Sequence, residues 1–222
     1  MVSDLASIES APVFAWVHVY DAHTPYSPPE AYAQRYLSGE GDPFAGEPVD
    51  VGEAKLPGWL RGLSDAEYPH SLYRGEVDFV DGSLGQLLDP KNTHIIVTAD
   101  HGELFGEHGI WWSHAGLYPG IVQIPLVMAW PGAPSGARVP GDVRLTDVSK
   151  TLAEISGLDA SDLPGRDLRA FLEEAPPEEP RFFLGAQHNV AAIQADGWFL
   201  TMALLSYKSS AMGRPRQAGD IA

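Results

Sequence analysis

A chain of 222 residues, 44% of them hydrophobic, is long enough to bury one substantial core and too apolar to be disordered along most of its length. The formal net charge of −16 argues against partners that need a basic face, so neither nucleic acid nor an anionic membrane is expected as a partner, and an anionic substrate would need local help from a metal ion, histidines or an arginine. With no cysteine among these residues there is no disulfide framework, no thiolate metal ligand and no cysteine nucleophile.

The opening, MVSDLASIES, has neither a basic n-region nor an apolar h-region, and no later stretch approaches the length of a membrane span. It gives no address, so the compartment is left open. Residues 13–20 (VFAWVHVY) form a dense apolar run that reads as a buried strand, with His18 inside it as a core histidine. A buried strand needs neighbours on both sides, so its early arrival predicts a piece of something larger, or else a short first strand.

Residues 27–65, rich in Pro, Gly and acidic side chains, read as a long surface excursion with one short helix at 30–36. Tyr73, Val77, Val80, Leu84, Leu87 and Leu88 recur at helical spacing and predict an amphipathic helix that stops near Asp89-Pro90. Residues 94–99 and 125–130 read as two further buried strands, and a helix leading into an all-apolar strand predicts a parallel sheet covered by helices. Thr146 is expected to cap a helix carrying Val148, Leu152 and Ile155, with Gly157 at its stop.

Beyond an acidic, proline-rich linker at 173–180, short strands are expected at 181–186, 190–195 and 198–205, the last two joined by an Asp196-Gly197 hairpin turn. Residues 206–222 show no periodicity and read as a tail, and there are no internal repeats. The expected organisation is an α/β domain over residues 1–175, a small antiparallel subdomain over 180–205 and a flexible tail over 206–222.

Three segments carry chemistry. In Ile95-Ile96-Val97-Thr98-Ala99-Asp100-His101-Gly102-Glu103 an apolar strand ends directly in a carboxylate, an imidazole and a glycine, and the carboxyl ends of strands are where open α/β sheets keep ligands. Asp100 and His101 offer oxygen and nitrogen donors to one ion, with Gly102 letting the backbone turn; the competing reading is an Asp that caps its loop beside a solvated His. Asp21-Ala22-His23-Thr24-Pro25-Tyr26 also follows an apolar run, which would bring His23 to the same edge, either to contact an anion and protonate a leaving alkoxide or to bond local backbone. The loop at 105–118 holds His108, His114, three glycines and two tryptophans, a makeup that suits a functional loop or a cover for the core.

Taken in order, HVYDAHTPY, YRGEVDFVDGSLGQLL, IIVTADHGELFGEHG, LYPGIVQIPLVMAWPG, TDVSKTLAEISGL and LPGRDL resemble motifs of the sulfatase family within the alkaline-phosphatase superfamily, over about residues 12–205. The resemblance implies part of an alkaline-phosphatase-like sandwich, with a mainly parallel sheet flanked by helices and a small C-terminal antiparallel sheet. It implies that Asp100 and His101 are two ligands of a divalent cation, most often calcium. His23 would contact the sulfate or assist the leaving group, and His114 stands where relatives place a lysine or histidine on a sulfate oxygen. A sulfuryl group in transfer spreads negative charge over its oxygens, which a metal and cationic donors stabilise.

Two family features are absent from these residues: the C/S-x-P/A-x-R motif that yields the formylglycine nucleophile, and the paired aspartates that complete the metal site. The reading is therefore a fragment of a hydrolase of small sulfate esters, inactive alone and complemented by a missing N-terminal half. A phosphonate or phosphate ester hydrolase using manganese or zinc is one alternative, and a non-catalytic remnant or complementing subunit is the other.

Overall fold

The computed structural model describes residues 12–39, 41–85, 92–185, 189–206 and 217–219. Its elements in chain order are α1 (Glu30–Ala33), α2 (Glu67–Leu84), β1 (Ile95–Thr98), β2 (Leu104–Phe105), β3 (Trp111–Ser113), α3 (Pro119–Val122), β4 (Leu126–Ala129), α4 (Leu145–Ile155), β5 (Arg181–Leu184), β6 (Val190–Ala195) and β7 (Trp198–Ala203), with short 3-10 turns between some of them. They fall into two compact units, one of Met1–Pro131, Phe183–Ala192 and Leu200–Ala222, the other of Gly132–Phe182 and Ile193–Phe199.

The first unit is built on α2. Pro69 sits in its first turn, where a missing N–H costs nothing. The helix buries Pro69, Leu72, Gly75 and Glu76, whereas Val77, expected on the core face, is exposed. Gly75 explains the difference. A Cβ there would lie 3.0 Å from Pro28 Cγ and 3.4 Å from Ala33 Cα, so the bare backbone is what lets α1 and its approach pack on the helix. Leu72 joins Tyr26, Ala33, Leu60, Leu63 and Trp112 in one core, flanked by Trp59, Tyr73 and Phe105. Leu87, Leu88 and the stop at Asp89-Pro90 lie outside the described residues.

The sheets differ from the expected parallel arrangement. β1 pairs with β4 antiparallel, Ile95 opposite Ala129 and Thr98 opposite Leu126. β2 and β3 form a second antiparallel pair, and β5-β6-β7 make a three-stranded C-terminal sheet. The protein is thus mixed α/β with small antiparallel sheets, and no parallel pair is present among the described residues. Nor are β1 and β4 the buried strands expected: Ile95 is buried, whereas Val127 is 63% exposed, and an apolar run carries no information about the direction of its neighbour.

Residues 13–20 are likewise not a buried strand: no described residue pairs with them, and Phe14, Trp16 and Tyr20 lie open, Trp16 at 79% exposure. His18 is exposed with them, not a core residue. The apolar run records a surface suited to burial, whereas a strand also requires a hydrogen-bonding partner.

In the second unit α4 begins one residue before the expected cap. Arg144 is the N-cap, and the buried Asp147 accepts from the Arg144 N–H at 2.6 Å and from the Arg166 N–H at 2.8 Å. Gly157 ends the helix at φ +69°, as expected of a C-terminal glycine. Asp196 and Gly197 both adopt positive φ, the conformation that a two-residue hairpin between β6 and β7 demands.

Candidate functional site

The site lies in the first unit and is assembled from two stretches, residues 20–26 and the run from the end of β1 to α3. Beyond Thr98 the chain turns through Asp100, His101 and Gly102. The Gly102 N–H donates to the Ile121 carbonyl at 2.7 Å, and a Cβ on Gly102 would stand only 2.1 Å from the Gly120 oxygen. The glycine is needed here for close approach of two backbone segments, and that approach ties the Asp100-His101 corner to α3.

Within the corner, Asp100 Oδ1 accepts from the His101 backbone N–H at 3.0 Å, leaving Oδ2 outward on a side chain that is 83% exposed. His101 Nδ1 lies 2.9 Å from the Gly102 carbonyl oxygen. A carbonyl only accepts, so Nδ1 carries the hydrogen and the Nε2 lone pair is left free, the arrangement by which a backbone group orients a ligating imidazole. Asp100 Oδ2 and His101 Nε2 stand 3.8 Å apart. An oxygen and a nitrogen donor at that separation can both reach one cation, so the pair could contribute two ligands. Among the described residues no group of three or more His, Asp or Glu side chains is placed to hold a metal, and the pair supplies only part of a coordination shell.

His23 reaches the same place. Its Nδ1 lies 2.7 Å from the Thr24 carbonyl oxygen, which fixes the hydrogen on Nδ1 by the same reasoning and turns Nε2 away from the backbone. Trp59 braces this turn, its indole N–H donating to Thr24 Oγ1 at 3.0 Å, and the Tyr20 ring packs 4.6 Å from the His23 ring.

His114 joins the two stretches. It follows β3, and its ring centroid is 4.0 Å from that of His101 and 6.1 Å from that of His23. The β2–β3 connection closes through Gly106, His108 and Gly109, all at positive φ, and His108 stacks on Tyr118 at 4.1 Å. The loop beyond is tied down where Thr201 Oγ1 donates to the Leu117 carbonyl. The four residues singled out from sequence, His23, Asp100, His101 and His114, are therefore brought together.

Sequence reasoning missed two buried carboxylates that lie behind them. Glu103 is 6% exposed, with Oε2 3.8 Å from His114 Nδ1 and Oε1 without a partner among the described residues. Pairing with Glu103 holds the His114 imidazole above the usual histidine range; burial pulls it back, and the Asp100 charge adds a smaller push upward. Burial, reinforced by the Glu103 charge, pushes the Tyr26 phenol far above its ordinary value. Glu76 is 3% exposed; Oε1 accepts from the Ser27 N–H at 2.6 Å and Oε2 has no partner among the described residues. Both glutamates stand inside motif phrases, Y-x-G-E-V and D-H-G-E, and the only further signal was an acidic residue flanked by glycine or apolar neighbours.

Burial raises the Glu76 carboxyl, partly offset by the Ser27 hydrogen bond, with Asp21 adding to the rise and His23 opposing it. A carboxyl raised in the folded state binds its proton more tightly there than in the unfolded chain. Its contribution to stability is then fully present below the unfolded value and is lost as pH rises through the folded one. Glu76→Gln retains the acceptor for Ser27 and removes the buried charge. It is expected to raise the melting temperature by several degrees at pH 8 and to leave it nearly unchanged at pH 4, as read by thermal melts. A fall at pH 8 equal to that at pH 4 would show that the charge is not the destabilising element.

A family model described as "Sulfatase" matches residues 3–158. The chain is 38% identical over 95 residues to a protein described as "Sulfatase" from Formosa agariphila, covering 40% of this chain and 18% of that protein. It is 28% identical over 179 residues to "Uncharacterized sulfatase YidJ" of Escherichia coli strain K12, covering 72% of this chain and 35% of the relative, and 30% identical over 93 residues to "Choline-sulfatase" of Rhizobium meliloti, covering 39% and 18%. These matches thus span about a fifth to a third of the length of the curated relatives.

Proposed function

The chain belongs to the sulfatase family, and on that premise we propose that it forms the cation- and anion-facing part of a hydrolase of small sulfate esters. What carries the reading is the convergence of three histidines and the Asp100 carboxylate at one place, with the Nδ1 hydrogens of His23 and His101 fixed by neighbouring carbonyls. Asp100 Oδ2 and His101 Nε2 would hold a divalent cation, calcium by family resemblance. When bound, that cation would neutralise charge gathering on the sulfuryl oxygens. His23, as the imidazolium, would present an Nε2–H to the departing alkoxide, give it that proton and be left neutral with its hydrogen on Nδ1, and His114 would place a cationic donor on a sulfuryl oxygen.

The 222 residues contain neither a C/S-x-P/A-x-R motif nor a cysteine, so the nucleophile and the remaining ligands are assigned to residues outside them, in an N-terminal portion of the same domain. One observation favours the alternative of a phosphonate or phosphate ester hydrolase: calcium takes oxygen ligands, whereas the imidazole of the pair suits manganese or zinc. The domain division at 1–175, 180–205 and 206–222, and a parallel sheet completed by further strands, belong to the same proposal.

The test is turnover of aryl sulfate against aryl phosphate and phosphonate by the full-length protein, stripped with chelator and reloaded with calcium, manganese or zinc. Sulfate turnover restored by calcium is the expected result. Phosphonate turnover restored only by manganese or zinc would replace it, and no turnover with any ion would leave a non-catalytic binding protein.

A further inference from the structure

Glu103 is a buried acid that none of the proposed chemistry uses. It lies one residue beyond Gly102, on the edge of β2, with its side chain 6% exposed and one oxygen without a partner among the described residues. No lysine or arginine is paired with it in any ion pair found among the described residues. Burying a carboxylate without a full set of partners is unfavourable, so it stands either as a structural liability or as part of a device. Its one ionic neighbour among the described residues is His114 Nδ1, 3.8 Å away.

The exposure of His114 is divided across the ring. Its side chain is 39% exposed, yet the Nδ1 atom is buried. The open edge is therefore the opposite one, which carries Nε2. Tyr26 lies on the buried side, its hydroxyl also without a hydrogen-bond partner among the described residues. The Tyr26 phenol is near enough to Glu103 for the carboxylate charge to bear on it, which places Glu103 between the core and the histidine cluster.

We propose that Glu103 is a positioning residue: its buried carboxylate holds the His114 imidazole with Nδ1 inward and Nε2 outward to the anion. The inference rests on the assignment of His114 to a sulfuryl oxygen, and the experiment separates the two.

In the full-length protein, His114→Ala, Glu103→Gln and the double variant are compared for kcat and KM on an aryl sulfate, with melting temperature alongside. The expected result is that His114→Ala lowers kcat about a hundredfold, as for loss of one preorganised donor to a developing anion. Glu103→Gln, which keeps size and shape, lowers kcat about tenfold with KM nearly unchanged, and adds nothing once His114 is gone, since residues acting as one unit are non-additive. A second readout without turnover is the ring-nitrogen NMR signature of His114. With the ring as the imidazolium that the donor role requires, wild type should show a slowly exchanging Nδ1–H proton held by the Glu103 carboxylate, and Glu103→Gln a faster-exchanging one. If His114→Ala impairs the enzyme while Glu103→Gln matches wild type in both readouts, the positioning role is overturned and the assignment of His114 stands. If Glu103→Gln still lowers kcat in the His114→Ala background, Glu103 acts by another route and the proposal fails. If His114→Ala is without effect, the assignment of His114 fails and this inference with it.

Discussion

Under the proposed function, replacing Asp100 by alanine in the full-length protein is expected to lower sulfate-ester turnover by about three orders of magnitude or more, because a bound cation would supply several kcal/mol of transition-state stabilisation and each decade of rate corresponds to about 1.4 kcal/mol. Among the described residues the carboxylate makes no hydrogen bond beyond its own neighbour's N–H, and it is 83% exposed. Its removal leaves no cavity and no buried orphan, and the fold should hardly notice. Asp100→Ala should therefore melt where the wild type melts in chelator, while losing the rise in melting temperature that a saturating cation gives a protein binding it only when folded. Asp100→Asn separates charge from shape: the amide keeps one oxygen for an ion and for the His101 N–H but carries no charge, so an intermediate loss is expected. Full turnover in Asp100→Ala, or an undiminished cation-dependent rise in its melting temperature, would remove Asp100 from the ligand set.

The contrast between Asp100 and the residues behind it shows what the sequence makes legible. Asp100, His101 and His23 could be read because each follows directly on an apolar run, and a polar residue at the end of such a run has few places to be. The Asp196-Gly197 hairpin and the Gly157 stop were legible because positive φ is a local requirement, met by a short list of residues. Glu76 and Glu103 were not, since a glutamate is nearly always exposed and its burial depends on tertiary neighbours that no local pattern encodes. The face that α2 buries was misread for a related reason: Gly75 contributes nothing to a hydrophobic pattern, yet its missing side chain is what admits Pro28. Residues 13–20 and β1 show the remaining gap. Apolar runs announce a surface suited to burial, while the burial itself, the pairing and the direction belong to the partner, as open Trp16 and Ile95 opposite Ala129 illustrate.

Gly102 joins the two kinds of information and should give the largest structural effect. From sequence it reads as a hinge that lets the backbone turn; in the structure its φ is not among the positive values, and its role is to let two segments of main chain touch. A methyl group at Gly102 would lie 2.1 Å from the Gly120 oxygen and 3.1 Å from its carbonyl carbon, atoms that cannot swing aside as a side chain would. The clash must be relieved by parting the Asp100-His101 corner from α3, which also breaks the Gly102 N–H bond to Ile121. Gly102→Ala is expected to cost roughly 3 kcal/mol, the upper end of ordinary overpacking, as measured by urea unfolding. A displacement of about 1 Å at Asp100 and His101 would add about a hundredfold loss of turnover in whatever fraction folds. Gly120→Ala is the matched control. Its Cβ would meet Leu104 Cδ2 at 2.8 Å, the far end of a side chain that can move, so it should cost clearly less. Equal costs for the two variants would mean that the backbone contact at Gly102 is not what fixes the corner, and that the site is held by its side chains alone.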